Sequence, residues 1–293
     1  MTEKELRAQV AHIQLVVKRL MNSDLAGDFT SAFKGGGLEF AQLRRYTPGD
    51  DIRSIDWKSS AKMRSIMVKE FVQEKERTVL IALDTSSSLL CSSQEQRKSE
   101  YARNVAASLA LIAQQANDKV GLLLFSDDIE AYIPPRKGKG HCAHIVRKIF
   151  TAQKENTFGV TTNMKKAIES AVAAKIKGGI AFIVSDWITD KQDYVASLPL
   201  LAKRYEAVAV RIHDPRERHM PDVGVVSALD PETGETVLID TRGGANSSLN
   251  ALLSAHWNDH KRLLKKHRID VLDIDVGTSF TDSMATFFHS RVH

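Results

Sequence analysis

Short apolar runs alternate with long amphipathic segments from residue 78 to the end of the chain. Each run is continuous rather than alternating, which is typical of strands that are buried on both faces of a parallel sheet. The predicted strands span residues 78–83, 120–125, 180–184, 207–212 and 271–276.

Between these runs, apolar residues recur at helical spacing, as Ala102, Val105, Ala106 and Leu109 do. Such spacing predicts amphipathic helices. The predicted helices span residues 3–21, 93–116, 141–153, 163–175, 194–204 and 247–267. Strands that alternate with helices in this way predict an α/β fold, a doubly wound and mostly parallel sheet with helices on both faces.

Two further segments predict antiparallel pairing. Residues 129–133 form a short edge strand in this prediction, because the following Pro134-Pro135 cannot join a central ladder. Residues 223–227 and 236–239 flank a turn-rich stretch, Asp230-Pro-Glu-Thr-Gly-Glu, and predict a hairpin.

The first 77 residues do not follow this alternation. After the opening helix come Gly35-Gly36-Gly37 and a run from Arg44 to Trp57 that is dense in arginine, aspartate and tryptophan. We therefore expect residues 1–77 to form an N-terminal helix and an irregular segment, and residues 78–293 to form the α/β domain.

Composition excludes several classes of protein. The 293 residues carry 41 Lys and Arg against 36 Asp and Glu, a net charge of +5, and the two signs are interleaved. No basic stripe with interleaved aromatic residues occurs, so we expect no nucleic acid partner. No stretch is apolar enough for a membrane span or a secretory signal, so we expect a cytoplasmic protein. Cys91 and Cys142 offer neither a disulfide framework nor a zinc site.

Oxygen-bearing side chains follow three of the predicted elements. Asp84, Ser86 and Ser88 come directly after the first strand of the sheet, Thr162 starts a predicted helix, and Asp186 follows the third strand. In an open α/β sheet these loops share the carboxyl edge at which ligands gather. All five are oxygen donors for a hard cation, Ser86 and Ser88 directly and Asp84 directly or through water. They are therefore candidate metal ligands.

The charge of this set favours one kind of ion and one mechanism. Two carboxylates only neutralise a divalent cation, whereas sites that sequester Ca²⁺ usually have more. Small loop ligands and octahedral geometry favour Mg²⁺, with Mn²⁺ as a substitute. A vacant sixth position would attract an Asp or Glu of a partner protein. Taken alone, D-x-S-x-S is also the N-cap of an ordinary helix, and that alternative stays open.

Enzyme motifs are largely absent from the sequence. No serine lies in G-x-S-x-G, no G-x-x-x-x-G-K-[ST] occurs, and Ser86 stands where an aspartyl phosphatase would carry its second acid. We therefore expect a protein that is not an enzyme. One alternative is a metal-dependent hydrolase of phosphate esters, for which the sequence offers no convincing general base. Another is a degenerate site without metal, in which the sheet is only a scaffold.

At this point the residues carry a resemblance. Asp84-x-Ser86-x-Ser88, followed by Thr162 and Asp186, resembles the metal-ion-dependent adhesion site of von Willebrand factor type A domains. A longer set of segments is similar to the signature of the bacterial family called domain of unknown function 58. These segments are residues 36–40, 44–51, 53, 55–57 and 68–71.

The resemblance implies a von Willebrand A-like protein that works with a MoxR-type AAA+ ATPase in chaperone-like maturation, metal insertion or stress responses. The A domain would be an adaptor that binds an acidic residue of a client protein, and oligomeric state is left open. Many A domains have Gly after the residue that matches Asp186, whereas this chain has Trp187. We expect this bulky residue to narrow access to the site or to offer a contact surface.

The arginine- and aspartate-rich segment, residues 44–57, has two interpretations. As structure, the acidic residues of the turn at 48–51 pair with the neighbouring arginines while Trp57 packs beneath. As function, the same cluster is a docking surface for the ATPase. The sequence favours the first interpretation, and the two are compatible.

Overall fold

The computed structural model describes residues 3–22, 38–73, 77–152, 159–174, 176 and 178–292. Its strands, in chain order, are β1 Leu38–Arg45, β2 Met67–Gln73, β3 Thr78–Asp84, β4 Lys119–Phe125, β5 Ile129–Arg136, β6 Gly179–Ser185, β7 Tyr205–His213, β8 Val225–Leu229, β9 Thr236–Asp240 and β10 Asp270–Asp275. Its helices are α1 Glu3–Asn22, α2 Trp57–Met63, α3 Lys98–Gln115, α4 Lys139–Thr151, α5 Met164–Ala173, α6 Lys191–Tyr194, α7 Leu198–Arg204, α8 Gly243–Lys266 and α9 Phe280–Val292.

A six-stranded sheet forms the centre of the molecule, in the order β10-β7-β6-β3-β4-β5. Neighbouring strands from β10 to β4 are parallel, and β5 joins the edge antiparallel to β4. The predicted mostly parallel α/β sheet is therefore confirmed. Since β4 lies on one side of β3 and β6 lies on the other, the strand order reverses at β3, which is where ligand sites form in open sheets.

Helices cover both faces of the sheet, as continuous apolar strands require. In β3, Val79, Ile81 and Leu83 belong to one hydrophobic cluster, whereas Leu80 and Ala82 belong to another. Side chains of α1, α3, α4 and α9 complete the first cluster, and those of α5, α6, α7 and α8 complete the second. Among the described residues, no helix combines the length and the apolar character that crossing a bilayer requires.

Helix α1 packs into the first hydrophobic cluster. Its Leu6, Ile13, Val17 and Leu20 are buried there, and the helix contacts α3 and α4. β1 and β2 form a separate two-stranded antiparallel sheet. The expected domain boundary after residue 77 stays a prediction, and α1 shares the hydrophobic core of the α/β domain.

The segment at 44–57 forms the predicted turn. Both terminal nitrogens of Arg44 donate to the carboxylate of Asp50, each at 2.7 Å. Asp51 accepts from the backbone of Arg53 at 3.0 Å and thereby caps a short 3₁₀ turn. The predicted pairing of turn carboxylates with arginine is thus present for Arg44. Gly36 and Gly37 of the family-like signature lie outside the described residues.

Trp57 lies on the surface, with 66% of its area exposed, so the expectation that it packs beneath the turn is wrong. It is the first residue of α2, which Asp56 caps. The inward position of this short helix belongs to Ser60, whose hydroxyl accepts from the backbone of Met67 at 2.8 Å. A hydrogen-bonded serine therefore fixes α2 to β2, and the tryptophan faces solvent.

Two predicted helices differ in their bounds. α3 begins at Lys98 rather than at Ser93, because the hydroxyls of Ser92 and Ser93 bind Asp214 and hold the preceding chain outside the helix. The predicted helix at 194–204 is instead α6, a 3₁₀ turn at residues 195–197 and α7. Pro199 lies in the first turn of α7 and has no N–H with which to continue an earlier helix.

The edge strand β5 runs farther than predicted, through Pro134 and Pro135 to Arg136. Among the described strands β5 is outermost, and its pairing with β4 shifts register between Val120 and Leu122, so neither proline has a paired partner there. Gly121 of β4 makes room for them, since a Cβ at that position would lie 2.8 Å from the Pro135 ring. The predicted hairpin is present as β8 and β9, which pair antiparallel.

Candidate metal centre

The candidate ligands lie at the carboxyl edge of the sheet, beside the reversal of strand order at β3. Asp84 ends β3, and Asp186 follows β6, which pairs with β3. Ser86 and Ser88 lie on the loop after β3, and Thr162 lies just before α5. The structure thus puts all five residues on loops of one sheet edge, and their metal ligation stays a prediction.

Asp84 is a buried carboxylate. Its Oδ1 accepts from the backbone of Ser86 at 2.8 Å, and its Oδ2 accepts from Ser185 Oγ at 2.7 Å. Burial, and after it the negative charge of Asp186, raises the pKa of Asp84 to about 7 despite these hydrogen bonds. A carboxylate with such a pKa has too little positive charge nearby. A cation at this place would stabilise its ionised form.

The loop after β3 brings two serine hydroxyls together. Ser86 Oγ and Ser88 Oγ lie 3.0 Å apart, and both side chains are buried. Ser87 between them makes two reciprocal bonds to Val160, since its backbone donates to the Val160 carbonyl at 3.0 Å and its hydroxyl accepts from the Val160 amide at 2.9 Å. These bonds hold the serine loop against the loop that carries Thr162.

Thr162 contacts a residue that sequence reasoning did not place at the site. Its Oγ1 donates to Glu232 Oε1 at 2.9 Å. Glu232 lies in the turn between β8 and β9, and burial, followed by the charge of Asp186, raises the pKa of its carboxyl group. The turn itself was predicted from Asp230-Pro-Glu-Thr-Gly-Glu, but no local signal shows that this hairpin reaches the sheet edge.

Asp186 is half of a buried ion pair with Lys98, the first residue of α3. Lys98 Nζ lies 2.8 Å from Asp186 Oδ2 and 2.6 Å from Glu217 Oε1, and only 2% of the lysine is exposed. Burial alone would lower the pKa of Lys98, but the charges of Asp186 and Glu217 raise it above its ordinary value. The site therefore already contains one fixed positive charge, which the sequence analysis did not identify.

Trp187 does not border the site as expected. It is 2% exposed and packs edge-on against Tyr194, with ring centroids 5.8 Å apart, and against His260 at 5.6 Å. Its φ of 60° is a left-handed conformation, which points its side chain into the second hydrophobic cluster. The expectation that Trp187 narrows access or offers a contact surface is wrong, because the backbone turns it inward.

The oxygen donors are carboxylates and hydroxyl groups, which are ligands that a small hard cation accepts. Neighbouring ligands of an Mg²⁺ octahedron lie about 2.9 Å apart when the metal–oxygen distance is about 2.0–2.1 Å. The Ser86–Ser88 and Thr162–Glu232 oxygen pairs are hydrogen-bonded at 3.0 and 2.9 Å, distances close to this spacing. In the described part of the chain, no three His, Cys, Asp or Glu side chains form a metal-binding group by themselves. Hydroxyl groups would therefore supply part of the coordination shell.

A surface pocket of about 480 Å³ opens beside Thr162. Asp127, Asn163, Lys165 and Thr189 are among the residues that line it. Asp127 is exposed and accepts from Ser126 Oγ at 3.0 Å. The pocket leaves the loop that carries Thr162 open to the surface.

Comparison with known sequences points to one family. The profile of the family described as "Protein of unknown function DUF58" matches residues 42–260. The chain is also 25% identical over 289 residues to the uncharacterised protein Rv1480 of Mycobacterium tuberculosis strain H37Rv, a match that covers 99% of this chain and 90% of the relative.

Solved structures with a similar course of the chain include one von Willebrand A (VWA) domain. The protein BatB of Bacteroides thetaiotaomicron matches 74% of this chain and 98% of its own, with 16% identity and a TM-score of 0.46. The SpRpn10 VWA domain matches 71% of this chain and 94% of its own, with 10% identity and a TM-score of 0.40. The α/β classification follows from the strand order of the sheet itself.

Proposed function

This chain belongs to the DUF58 family of proteins of unknown function, and we propose from its own geometry that it is a protein-interaction module with a divalent-metal site. In this proposal Mg²⁺, or Mn²⁺, binds at Asp84, Ser86, Ser88, Thr162 and Asp186 and presents an open position to an acidic residue of a partner. The observation that carries the proposal is the pair of buried serine hydroxyls, 3.0 Å apart, beside the buried carboxylate of Asp84.

Three features support this function. The raised pKa of Asp84 indicates a place where a cation would be stabilised. Asp84 and Asp186 carry two negative charges, and Lys98 already pairs with Asp186, so a divalent ion at this site would keep an attraction for an external carboxylate. The pocket beside Thr162 gives such a carboxylate a route to the site. When bound, the metal would supply the positive charge, and the residues of the chain would orient it.

The partner class comes from the family resemblance and stays part of the proposal. A MoxR-type AAA+ ATPase would dock on the α/β protein, which would act as an adaptor for an acidic client in chaperone-like maturation or a stress response. The exposed Trp57, together with the exposed Ile52 and Met63 nearby in the chain, supports the alternative in which the segment at 44–57 is a docking surface. The expected cytoplasmic location also stays a prediction.

Calorimetric titration with Mg²⁺ and Mn²⁺ tests the metal site. Asp84→Asn keeps the shape of the side chain but removes its charge, and we expect it to weaken metal binding about tenfold or more. Asp127→Asn is the matched control, because Asp127 is an exposed acid on the same rim. If the wild-type protein binds neither ion at millimolar concentrations, the site is degenerate and the proposal fails.

Co-purification tests the partner. A MoxR-type AAA+ ATPase should be retained by the wild-type protein in Mg²⁺. Thr162→Ala or excess EDTA should abolish a metal-dependent contact while circular dichroism shows an intact fold. Retention that is unchanged in EDTA contradicts metal-dependent binding. Turnover of phosphate esters by the purified protein, lost in Asp84→Asn, would instead support the hydrolase alternative.

A further inference from the structure

The hairpin of β8 and β9 docks its own carboxylate on the candidate metal centre. Two contacts fix its turn to the loop before α5: Gly159 donates its backbone N–H to the Pro231 carbonyl at 3.0 Å, and Thr162 Oγ1 donates to Glu232 Oε1 at 2.9 Å. A main-chain bond and a side-chain bond to the same loop define both the position and the orientation of the turn.

Hydrogen bonds within the turn fix the position of Glu232. Both oxygens of Asp230 are engaged inside the turn, Oδ1 by the Glu232 amide at 2.9 Å and Oδ2 by Thr233 Oγ1 at 2.8 Å. Asp230 also closes the hairpin through its backbone, which donates to the Glu235 carbonyl at 2.8 Å. Because Asp230 fixes the backbone on either side, Glu232 extends toward Thr162 from a rigid support.

Glu232 and the neighbouring Asp186 differ in whether a cation pairs with the carboxylate. Asp186 is neutralised by Lys98, whose ammonium group is shared with Glu217. Among the described residues, no Lys, Arg or His forms an ion pair with the half-buried Glu232. A partly buried carboxylate without a cationic partner, next to a candidate metal-ligating hydroxyl, is a place where a cation is missing.

We infer that Glu232 is an internal acidic ligand of this site, which takes the coordination position that a carboxylate of a partner would otherwise occupy. The inference rests on the proposed function. The 2.9 Å hydrogen bond brings Glu232 Oε1 into direct contact with Thr162 Oγ1, a candidate metal ligand. The hairpin is therefore a self-docked competitor, and a partner must displace it to reach the metal.

Mn²⁺ titration of the full chain, monitored by water proton relaxation, tests whether Glu232 is a ligand. The relaxation rises with the number of water molecules on the bound ion. Glu232→Gln keeps the volume and an oxygen acceptor for Thr162 but removes the charge. We expect it to weaken Mn²⁺ binding about tenfold and to raise the relaxation per bound ion. Added acetate should then lower the relaxation in Glu232→Gln and leave the wild-type protein unchanged. Glu235→Gln, an exposed position on the same hairpin, is the control and should match the wild type.

The outcomes separate the two proposals. If Mn²⁺ binds all three proteins with equal affinity, equal relaxation and equal response to acetate, Glu232 is not a ligand and this inference is overturned, whereas the metal site stands. If none of the three proteins binds Mn²⁺, the proposed function fails, and the inference fails with it. Weaker binding, higher relaxation and an acetate response confined to Glu232→Gln support the internal ligand.

Discussion

Lys98 Nζ and Asp186 Oδ2 lie 2.8 Å apart in a place where almost none of either side chain is exposed. The pair joins the first turn of α3 to the end of β6, two elements separated by 88 positions in the chain. Glu217 accepts from the same ammonium group at 2.6 Å and its second oxygen accepts from the Asp214 amide. One buried lysine therefore ties three parts of the site edge together.

Lys98→Met should destabilise the protein strongly. Removal of one partner from a buried ion pair leaves an uncompensated charge and costs about 3–5 kcal/mol. Urea unfolding followed by circular dichroism measures the loss. Lys166→Met is the control, because its ion pair with Asp128 is exposed on both sides and should leave the unfolding midpoint unchanged. Equal midpoints for the two variants would show that the buried pair does not stabilise the fold.

Acid should destabilise the fold through His260. This histidine is 3% exposed, with Nδ1 3.2 Å from Arg211 Nη1 and Nε2 2.7 Å from the Tyr194 hydroxyl. Burial, and after it the charge of Arg211, lowers the pKa of His260 from 6.5 to about 3. The unfolded chain therefore binds a proton that the folded chain does not, so stability is lost as the pH falls below 6.5 toward 3.

The slope of this loss is about 1.4 kcal/mol per pH unit for one histidine. Urea unfolding at a series of pH values measures this slope. His260→Gln should remove about one proton from the uptake on unfolding, and so reduce the slope by about 1.4 kcal/mol per pH unit. His256→Gln, an exposed position on the same helix, should keep the wild-type slope. A His260→Gln variant with the wild-type dependence between pH 4 and 6 would contradict this assignment.

Replacement of Trp187 by glycine should destabilise the protein, although its backbone conformation favours glycine. A φ of 60° favours glycine, and relief of this strain is worth about 1 kcal/mol. Loss of the buried indole, which packs on Tyr194 and His260, costs about 3 kcal/mol or more. We therefore expect Trp187→Gly to lower the free energy of unfolding, whereas a gain in stability would mean that backbone strain outweighs the packing.

Replacement by alanine should affect stability differently at two tryptophans, Trp57 and Trp257. Trp57 is 66% exposed, so Trp57→Ala should leave the melting temperature unchanged while reducing retention of the ATPase. Trp257 lies under the Arg211 guanidinium, 3.7 Å from the ring centroid, and packs on His213. Trp257→Ala should cost about 2 kcal/mol or more in unfolding free energy. Unchanged retention with Trp57→Ala would exclude this residue from the docking surface.

The sheet was predictable because burial on both faces forces a continuous apolar strand, a signal that each strand carries within its own residues. The sheet-edge position of Asp84 and Asp186 followed from the same rule, since each comes directly after such a strand. The hairpin was equally local, because Asp230-Pro-Glu-Thr-Gly-Glu is a turn between two alternating segments.

Other features depend on contacts between distant parts of the chain. A lysine in the first turn of an amphipathic helix is ordinarily exposed, and nothing near Lys98 indicates the buried Asp186 and Glu217 that hold it. In the same way, Glu232 meets Thr162 across 70 positions. Trp187 shows a third limit, since its residue type indicates burial but not the left-handed backbone that determines which way it points.

The extension of β5 through Pro134 and Pro135 has a consequence for encounters between copies of the chain. An outermost strand offers its free edge to any other extended chain, and growth of the sheet there leads to aggregation. Two adjacent residues of β5 have no N–H to offer. Because the N–H groups of adjacent strand residues point to opposite edges, one of these two prolines removes a donor from the free edge. An incoming strand would lack a hydrogen bond there, so this edge resists elongation of the sheet.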